Sequence, residues 1–297
     1  MLYAGQESVY SVAAKTLNKF LLCQTDPKQI ERLVHAYGTE VGQELEKQAD
    51  RTLPTAKEGQ RTYVMMDGSM ISTRDQGWKE VKLGRVFAAS DHLPENEQRR
   101  WIRDSVYMGL LGSQRDFLKK LEPVVDRLKD PVFINDGAKW IWAWVNQYYP
   151  DKTQILDFYH ALEYLNKFAS EQFKVPEERK KWVQDQAESL LQDEIDQVIE
   201  DVEALKSRTQ NAKKARKSIL TYYQNNRCRM RYKTYLDKGL MIGSGPIEAA
   251  HKSVIQDRLK KSGQRWTIDG ANAIIQLRTV NQSNKWDLVV NVIKDAA

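Results

Sequence analysis

Three carboxylates stand where a charge is unexpected. Asp67 follows four large residues in "YVMMDGSM", Asp136 closes the apolar run "PVFIND", and Glu248 lies in "MIGSGPIEAAHKSV", just inside a helix start. They are 69 and 112 residues apart. Burying a carboxylate is costly unless something pairs with it, and three that converge repel and shift one another's pKa values. Divalent cations relieve that repulsion. Mg²⁺ takes oxygen ligands, and two ions about 3.5–4 Å apart activate a water or a 3′-hydroxyl and stabilise the leaving oxygen in phosphoryl displacement. The chemistry these residues offer is therefore two-ion phosphoryl transfer with Mg²⁺ (or Mn²⁺), Asp67, Asp136 and Glu248 serving as catalytic residues and metal ligands. Each acid also has a structural reading. Asp-Gly after a strand makes a turn, because Asp tolerates the left-handed region and Gly permits it. Glu248 complements a helix dipole behind an N-cap Ser244 and a first-turn Pro246. The residue three after Ser244 is Ile247, so the pattern is not a capping box. A paired-carboxylate hydrolase working without metal, such as a glycosidase, is a further alternative.

Composition narrows the partners. The chain has 297 residues, 41% hydrophobic and 29% charged, with a net charge of +6. Residues 206–238 hold Lys206, Arg208, Lys213, Lys214, Arg216, Lys217, Arg227, Arg229, Arg231, Lys233 and Lys238 against the single acid Asp237, downstream of an acid-rich stretch at 177–203. Such clustering is the footprint of phosphate-backbone contact, or else a solvated helix face. Only Cys23 and Cys228 are present, which argues against a disulfide scaffold or a cysteine-rich zinc site and fits a reducing cytoplasm. No run of 18 apolar residues and no basic-then-apolar leader occurs, so no membrane association or secretion is expected.

The elements that must position these acids follow from periodicity. Residues 1–60 read as an N-terminal helical region, with "TDPKQIERLV" as a helix start and a linker at 50–61. Strands are predicted at 62–73, 79–90, 105–112, 131–138 and 153–161, with amphipathic helices at 116–129 and 139–149 and a helix after 161. The order β-β-β-α-β-α-β-α implies a mixed sheet with helices on its faces, an α/β class. Its first part is 61–171. Residues 172–240 read as an all-helical insertion, and 241–297 return to the core as C-terminal helices, the first at 244–262.

The blocks "MMDGSMISTRDQGWKEVKLGRVF", "FINDGAKWIWAWVNQYYPDKTQILDFYHALEYL" and "IGSGPIEAAHKSVIQDRLKKSGQRWTIDGANAIIQLR" resemble the catalytic blocks of bacterial DDE insertion-sequence transposases, the Kra-type relatives of mutator-like elements. The resemblance spans residues 62–281. It implies an RNase H-like fold with Asp67, Asp136 and Glu248 as the three acids in order, and metal-dependent DNA cleavage and strand transfer with no histidine general base. It implies two ions, double-stranded DNA as partner (element ends and target), a homo-oligomer on DNA, and a cytoplasmic, nucleoid-associated setting. Asp157 and His160 of "DFYH" match the family's Asp-x-x-His phrase, placing them beside the acids, with a core or helix-start histidine as the other reading of His160; His251, one turn after Glu248, either supports that acid or packs in the core. The DNA contacts expected from the basic cluster are Lys213, Lys214, Arg216, Lys217, Arg227, Arg229 and Arg231, and those expected along the Glu248 helix are Arg258, Lys260 and Lys261; the resemblance adds Arg265 and Trp266 as the pair that handles an unpaired base, with core packing as the other reading of Trp266. Family members usually carry a longer N-terminal recognition region. About 60 residues precede the first catalytic strand here, which implies a reduced recognition domain, a truncated copy, or a DNA-binding remnant without catalysis.

Overall fold

The computed structural model describes residues 1–47, 61–94 and 100–296. The predicted linker therefore lies outside the described residues, apart from Arg61. In chain order the elements are α1 (Leu2–Glu7), α2 (Tyr10–Leu21), α3 (Pro27–Lys47), β1 (Thr62–Ser72), β2 (Trp78–Ala88), β3 (His92–Pro94), β4 (Arg100–Ile102), β5 (Val106–Leu111), α4 (Gln114–Val125), β6 (Pro131–Asn135), α5 (Lys139–Tyr148) and β7 (Thr153–Leu156). There follow α6 (Phe158–Gln172), α7 (Pro176–Leu191), α8 (Ile195–Ala204), α9 (Gln210–Asn226), α10 (Tyr232–Asp237), α11 (Gly245–Ala250), a π-helical segment (His251–Gln256), α12 (Asp257–Leu259), α13 (Ile268–Gln282) and α14 (Trp286–Asp295). The main strands form a mixed sheet of order β5-β2-β1-β6-β7, flanked by helices. This is the α/β, RNase H-like class expected from the sequence. The small β3–β4 hairpin escaped the periodicity because each strand has only three residues.

The chain divides into two compact units, Met1–Pro131 with Gly245–Ala297, and Val132–Ser244. In the first unit β1 and β2 pair antiparallel over their whole lengths, Asp67 opposite Leu83, and β5 pairs antiparallel with β2. Alternation sends Tyr63, Met65, Asp67, Leu83 and Arg85 to one face and Val64, Met66, Gly84 and Val86 to the other. On the second face Phe117 and Leu121 of α4 close over Gly84, where the lack of a side chain lets the helix approach. On the first face α11 packs on β1 and β2 while α13 packs on β5 and α3. Helix α3 starts as expected, with Asp26 Oδ1 accepting from Gln29 N at 2.9 Å.

In the second unit β6 and β7 pair parallel, with Asn135 beside Leu156, and every residue of β6 is buried. The strand predicted at 153–161 ends early. Asp157 caps α6 by accepting from His160 N at 2.8 Å, so the chain turns helical at Phe158. Helices α6, α7, α8 and α9 pack in succession: α6 against α7 and α9, and α8 against both α7 and α9. Their core is aromatic, with Phe168 on Trp182 and Tyr223 donating to Ala161 O at 2.9 Å.

Candidate functional site

In the first unit, Asp67 sits mid-strand and half-buried, on the face that α11 covers. The Asp67–Gly68 pair is continuous strand opposite Leu83 and Lys82, so it is not a turn. Asp67 Oδ1 accepts from Gly68 N at 2.6 Å, while Oδ2 lies 3.5 Å from Nε2 of His251. Glu248 occupies the first turn of α11, exposed to solvent. His251 follows at the start of the π-helical segment and is only 2% exposed. Burial pushes its imidazole pKa below the ordinary value, and the neighbouring Asp67 carboxylate pulls the other way. Neither ring nitrogen has a hydrogen-bond partner among the described residues.

Two buried arginines fix this helix. Arg85 on β2 donates through Nη1 to Pro246 O at 2.7 Å, at the first turn that carries Glu248, and through Nε to Ser105 Oγ at 3.0 Å. Arg278 of α13 donates to Val254 O at 2.8 Å and to Ser253 O. Both carbonyls belong to the widened turn, a rare geometry found mostly as single insertions and frequently at functional sites. Sequence reasoning passed over both arginines. The signal was present: a guanidinium inside "GRVFAA" and another inside "IIQLRTV" are charges in apolar runs, and buried charges are fixed by partners.

In the second unit, Asp136 and Asp157 each follow one of two register-paired residues, Asn135 and Leu156, at the carboxyl ends of adjacent parallel strands. Ligands of open α/β sheets bind outside those ends. Asp136 Oδ1 accepts from Ala138 N at 3.0 Å, and its carbonyl accepts from Trp142 Nε1 at 2.6 Å. Here the chain leaves the strand in a bend, but neither Asp136 nor Gly137 has the positive φ that the turn reading invoked. A Cβ on Gly137 would lie 2.0 Å from Cε2 of Tyr222, so only glycine admits that ring. Asp157 is fully buried, and its second oxygen accepts from Ser244 N. Burial alone would raise its pKa; the hydrogen bonds from His160 and Ser244 outweigh that and hold it below the ordinary carboxylate value. His160 Nδ1 is 3.5 Å from Asp157 Oδ1. The close approach of its ring to the Asp157 carboxylate, opposed by burial and aided by the charges of Asp157, Glu163 and Asp136, carries its pKa up to about 9.

The expected DNA contacts fall into groups. Lys213, Lys214, Lys217, Arg231, Lys260, Lys261 and Arg265 are exposed. Arg216 donates to the carbonyls of Val202 and Glu203 at the end of α8, and Arg227 pairs with Asp196. Arg229 and Arg258 require correction: both are buried. Arg229 stacks 4.3 Å from the Trp142 ring and donates to Gln154 and Asn146, each at 2.8 Å. Arg258 lies between the Tyr10 and Trp266 rings at 5.0 and 4.9 Å and donates to Gly5 O at 3.1 Å. Burial pushes the Arg258 pKa down to about 10. Trp266 is 8% exposed and donates to Leu259 O at 3.1 Å, so its core reading holds and its ring faces are not open to a base.

A family model described as "Uncharacterised protein family (UPF0236)" matches residues 4–289. A curated relative, "UPF0236 protein in vanSb 3'region" of Streptococcus gallolyticus, is 22% identical over 239 residues, covering 76% of this chain and 50% of the relative. The chain thus spans about half the length of that relative. Among solved structures, the Drosophila P element transposase strand transfer complex aligns with a TM-score of 0.26 and 10% identity over 92% of this chain and 83% of that one. Among the described residues, no helix is long and apolar enough to cross a membrane.

Proposed function

The chain belongs to the uncharacterised protein family UPF0236, and we propose that it is a DDE transposase of the Kra-type kind, cleaving DNA strands and transferring them by metal-dependent phosphoryl displacement. The observation that carries this reading lies in the first unit. Helix α11, which bears Glu248, packs on the strand that bears Asp67, and His251 one turn later reaches that same carboxylate at 3.5 Å. Two acids supplied by one strand and one helix, on one face, are what the three sequence blocks imply. Asp136, at the carboxyl end of β6, is proposed as the third.

The donor set is all carboxylate oxygen, which suits Mg²⁺ or Mn²⁺, and neither cysteine belongs to it. When bound, two such ions would lower the pKa of the attacking water or 3′-hydroxyl and neutralise charge on the leaving oxygen. The chain's own residues hold and orient. Asp67 is held by the Gly68 amide and flanked by His251. Glu248 is aimed by a turn that Arg85 fastens to β2. Asp136 is fixed by the Ala138 amide. The exposed cations Lys213, Lys214, Lys217, Arg231, Lys260, Lys261 and Arg265 would meet DNA phosphates. A homo-oligomer on element ends, in the cytoplasm at the nucleoid, completes the reading.

The test is nicking of supercoiled plasmid in Mn²⁺ by wild type, Asp67→Ala and Glu248→Gln, with thermal melts to confirm folding. Wild type nicks, both variants lose at least about a hundredfold in rate, and chelator abolishes the activity. Equal nicking by wild type and Asp67→Ala would leave only a DNA-binding role. Cleavage that survives chelation would favour a metal-independent carboxylate pair.

A further inference from the structure

The second unit contains a cleft of about 760 Å³ between α5 and α9, opening beside Gly137. One wall is the face of α5 bearing Lys139 and Asn146; the other is a face of α9 bearing Lys214, Lys217 and Asn225. The three lysines are exposed and have no ion-pair partner among the described residues, and no carboxylate lines the cleft. Tyr164 and Tyr222 line it as a stacked pair, centroids 3.8 Å apart and 11° from parallel. Tyr222 also abuts Gly137, so this aromatic surface adjoins the loop of Asp136.

Each feature answers part of one ligand. Unpaired cations on both walls call for a polyanion. Aromatic side chains beside a basic groove are the platform on which bases of a single strand stack. Asparagine amides offer donors and acceptors to exposed base edges. The volume falls in the range that encloses a small ligand, about 300–1,000 Å³, so the cleft takes unpaired nucleotides rather than duplex.

We propose that this cleft binds a short single-stranded DNA segment, its phosphates on Lys214, Lys217 and Lys139 and a base against the Tyr164–Tyr222 pair. Strand binding stands on the cleft's own chemistry. Only the strand's identity, the unpaired end beside a cut, rests on the transposase reading. The unpaired base thereby moves from the buried Trp266 to α5 and α9.

Fluorescence polarisation of a labelled ten-nucleotide oligothymidylate, with the full chain in metal-free buffer, tests this. The double variant Lys214→Gln/Lys217→Gln should weaken binding at least about tenfold and flatten the log–log salt slope by about 1.4, near 0.7 per lost phosphate contact. Tyr164→Ala should cost about tenfold, the size of one stacked base, without changing the slope. Lys180→Gln/Lys181→Gln on α7, the same charge change outside the cleft, should leave binding within about twofold. Equal losses from the α7 pair and the cleft pair would overturn the proposal. So would undiminished binding by a folded Tyr164→Ala, or duplex of equal length binding as tightly and with the same lysine dependence. The lysines are exposed, so their variants decide the matter if Tyr164→Ala fails to fold. Strand binding that behaves as expected beside unchanged nicking by Asp67→Ala would sink the catalytic reading and leave the cleft standing; the converse would separate them the other way.

Discussion

At the scale of single residues, the His160–Asp157 pair makes the sharpest claim about charge. The His160 pKa in the folded chain is about 9, above its ordinary 6.5. Its contribution to stability is therefore fully present below about pH 6.5 and is lost as pH rises through about 9. Asp157, held low, contributes above its ordinary carboxylate value and loses that only as acid protonates it. Thermal melts should decline for wild type between pH 6.5 and 9 and stay flat over that window for His160→Gln. An NMR titration should place the imidazole midpoint near 9, and Asp157→Asn should bring it down. The two Asp-Gly pairs show how far sequence reaches at this scale. The dipeptide is identical, yet Asp67–Gly68 is strand and Asp136–Gly137 is a bend beyond the strand end. The residue types allow both. Cross-strand partners decide the first, and the ring of Tyr222, 85 positions downstream of Gly137, constrains the second.

At the scale of elements, the helix beginning at Gly245 depends on Arg278. The widened turn leaves carbonyls pointing inward, and the fork of Arg278 answers those of Ser253 and Val254. Arg278→Met should cost about 2–4 kcal/mol, from lost charged hydrogen bonds and carbonyls left buried. It should also let the turn relax toward ordinary α-helix, rotating His251 away from Asp67. The check is a denaturation curve together with plasmid nicking in Mn²⁺. Loss of stability with nicking at the wild-type rate would show that the widened turn has no part in holding the acids. Periodicity predicted this helix at 244–262 and found its boundaries within a few residues. It did not find the widened turn, because apolar spacing records which face is buried and not how wide each turn is. It likewise overran β7, where a single capping carboxylate, rather than a change in hydrophobic pattern, ends the strand.

At the scale of the whole molecule, the excess of positive charge resolves into cations that face solvent and cations that build the interior. Duplex binding without metal should follow a steep log–log dependence on salt. Replacing exposed Lys260 or Lys261 by Gln should reduce that slope by about 0.9 each. Arg258→Met should instead lower the melting temperature and leave the slope unchanged, because its guanidinium is stacked inside the first unit. A salt series read by polarisation, beside a melt, distinguishes the two classes. Composition alone gave every one of these cations equal weight, since burial depends on tertiary packing. The same packing fixes how this molecule meets others. Along β5, outermost in the strand order, side chains of α13 and of its C-cap Ser283 take up outward backbone groups: Ser283 accepts from Tyr107 N, Gln276 donates to Gly109 O, and Asn272 both accepts from and donates to Leu111. An edge satisfied in this way offers no template to a foreign strand. Polymerisation by β-augmentation is closed at this border, so copies of the chain must join elsewhere than along β5.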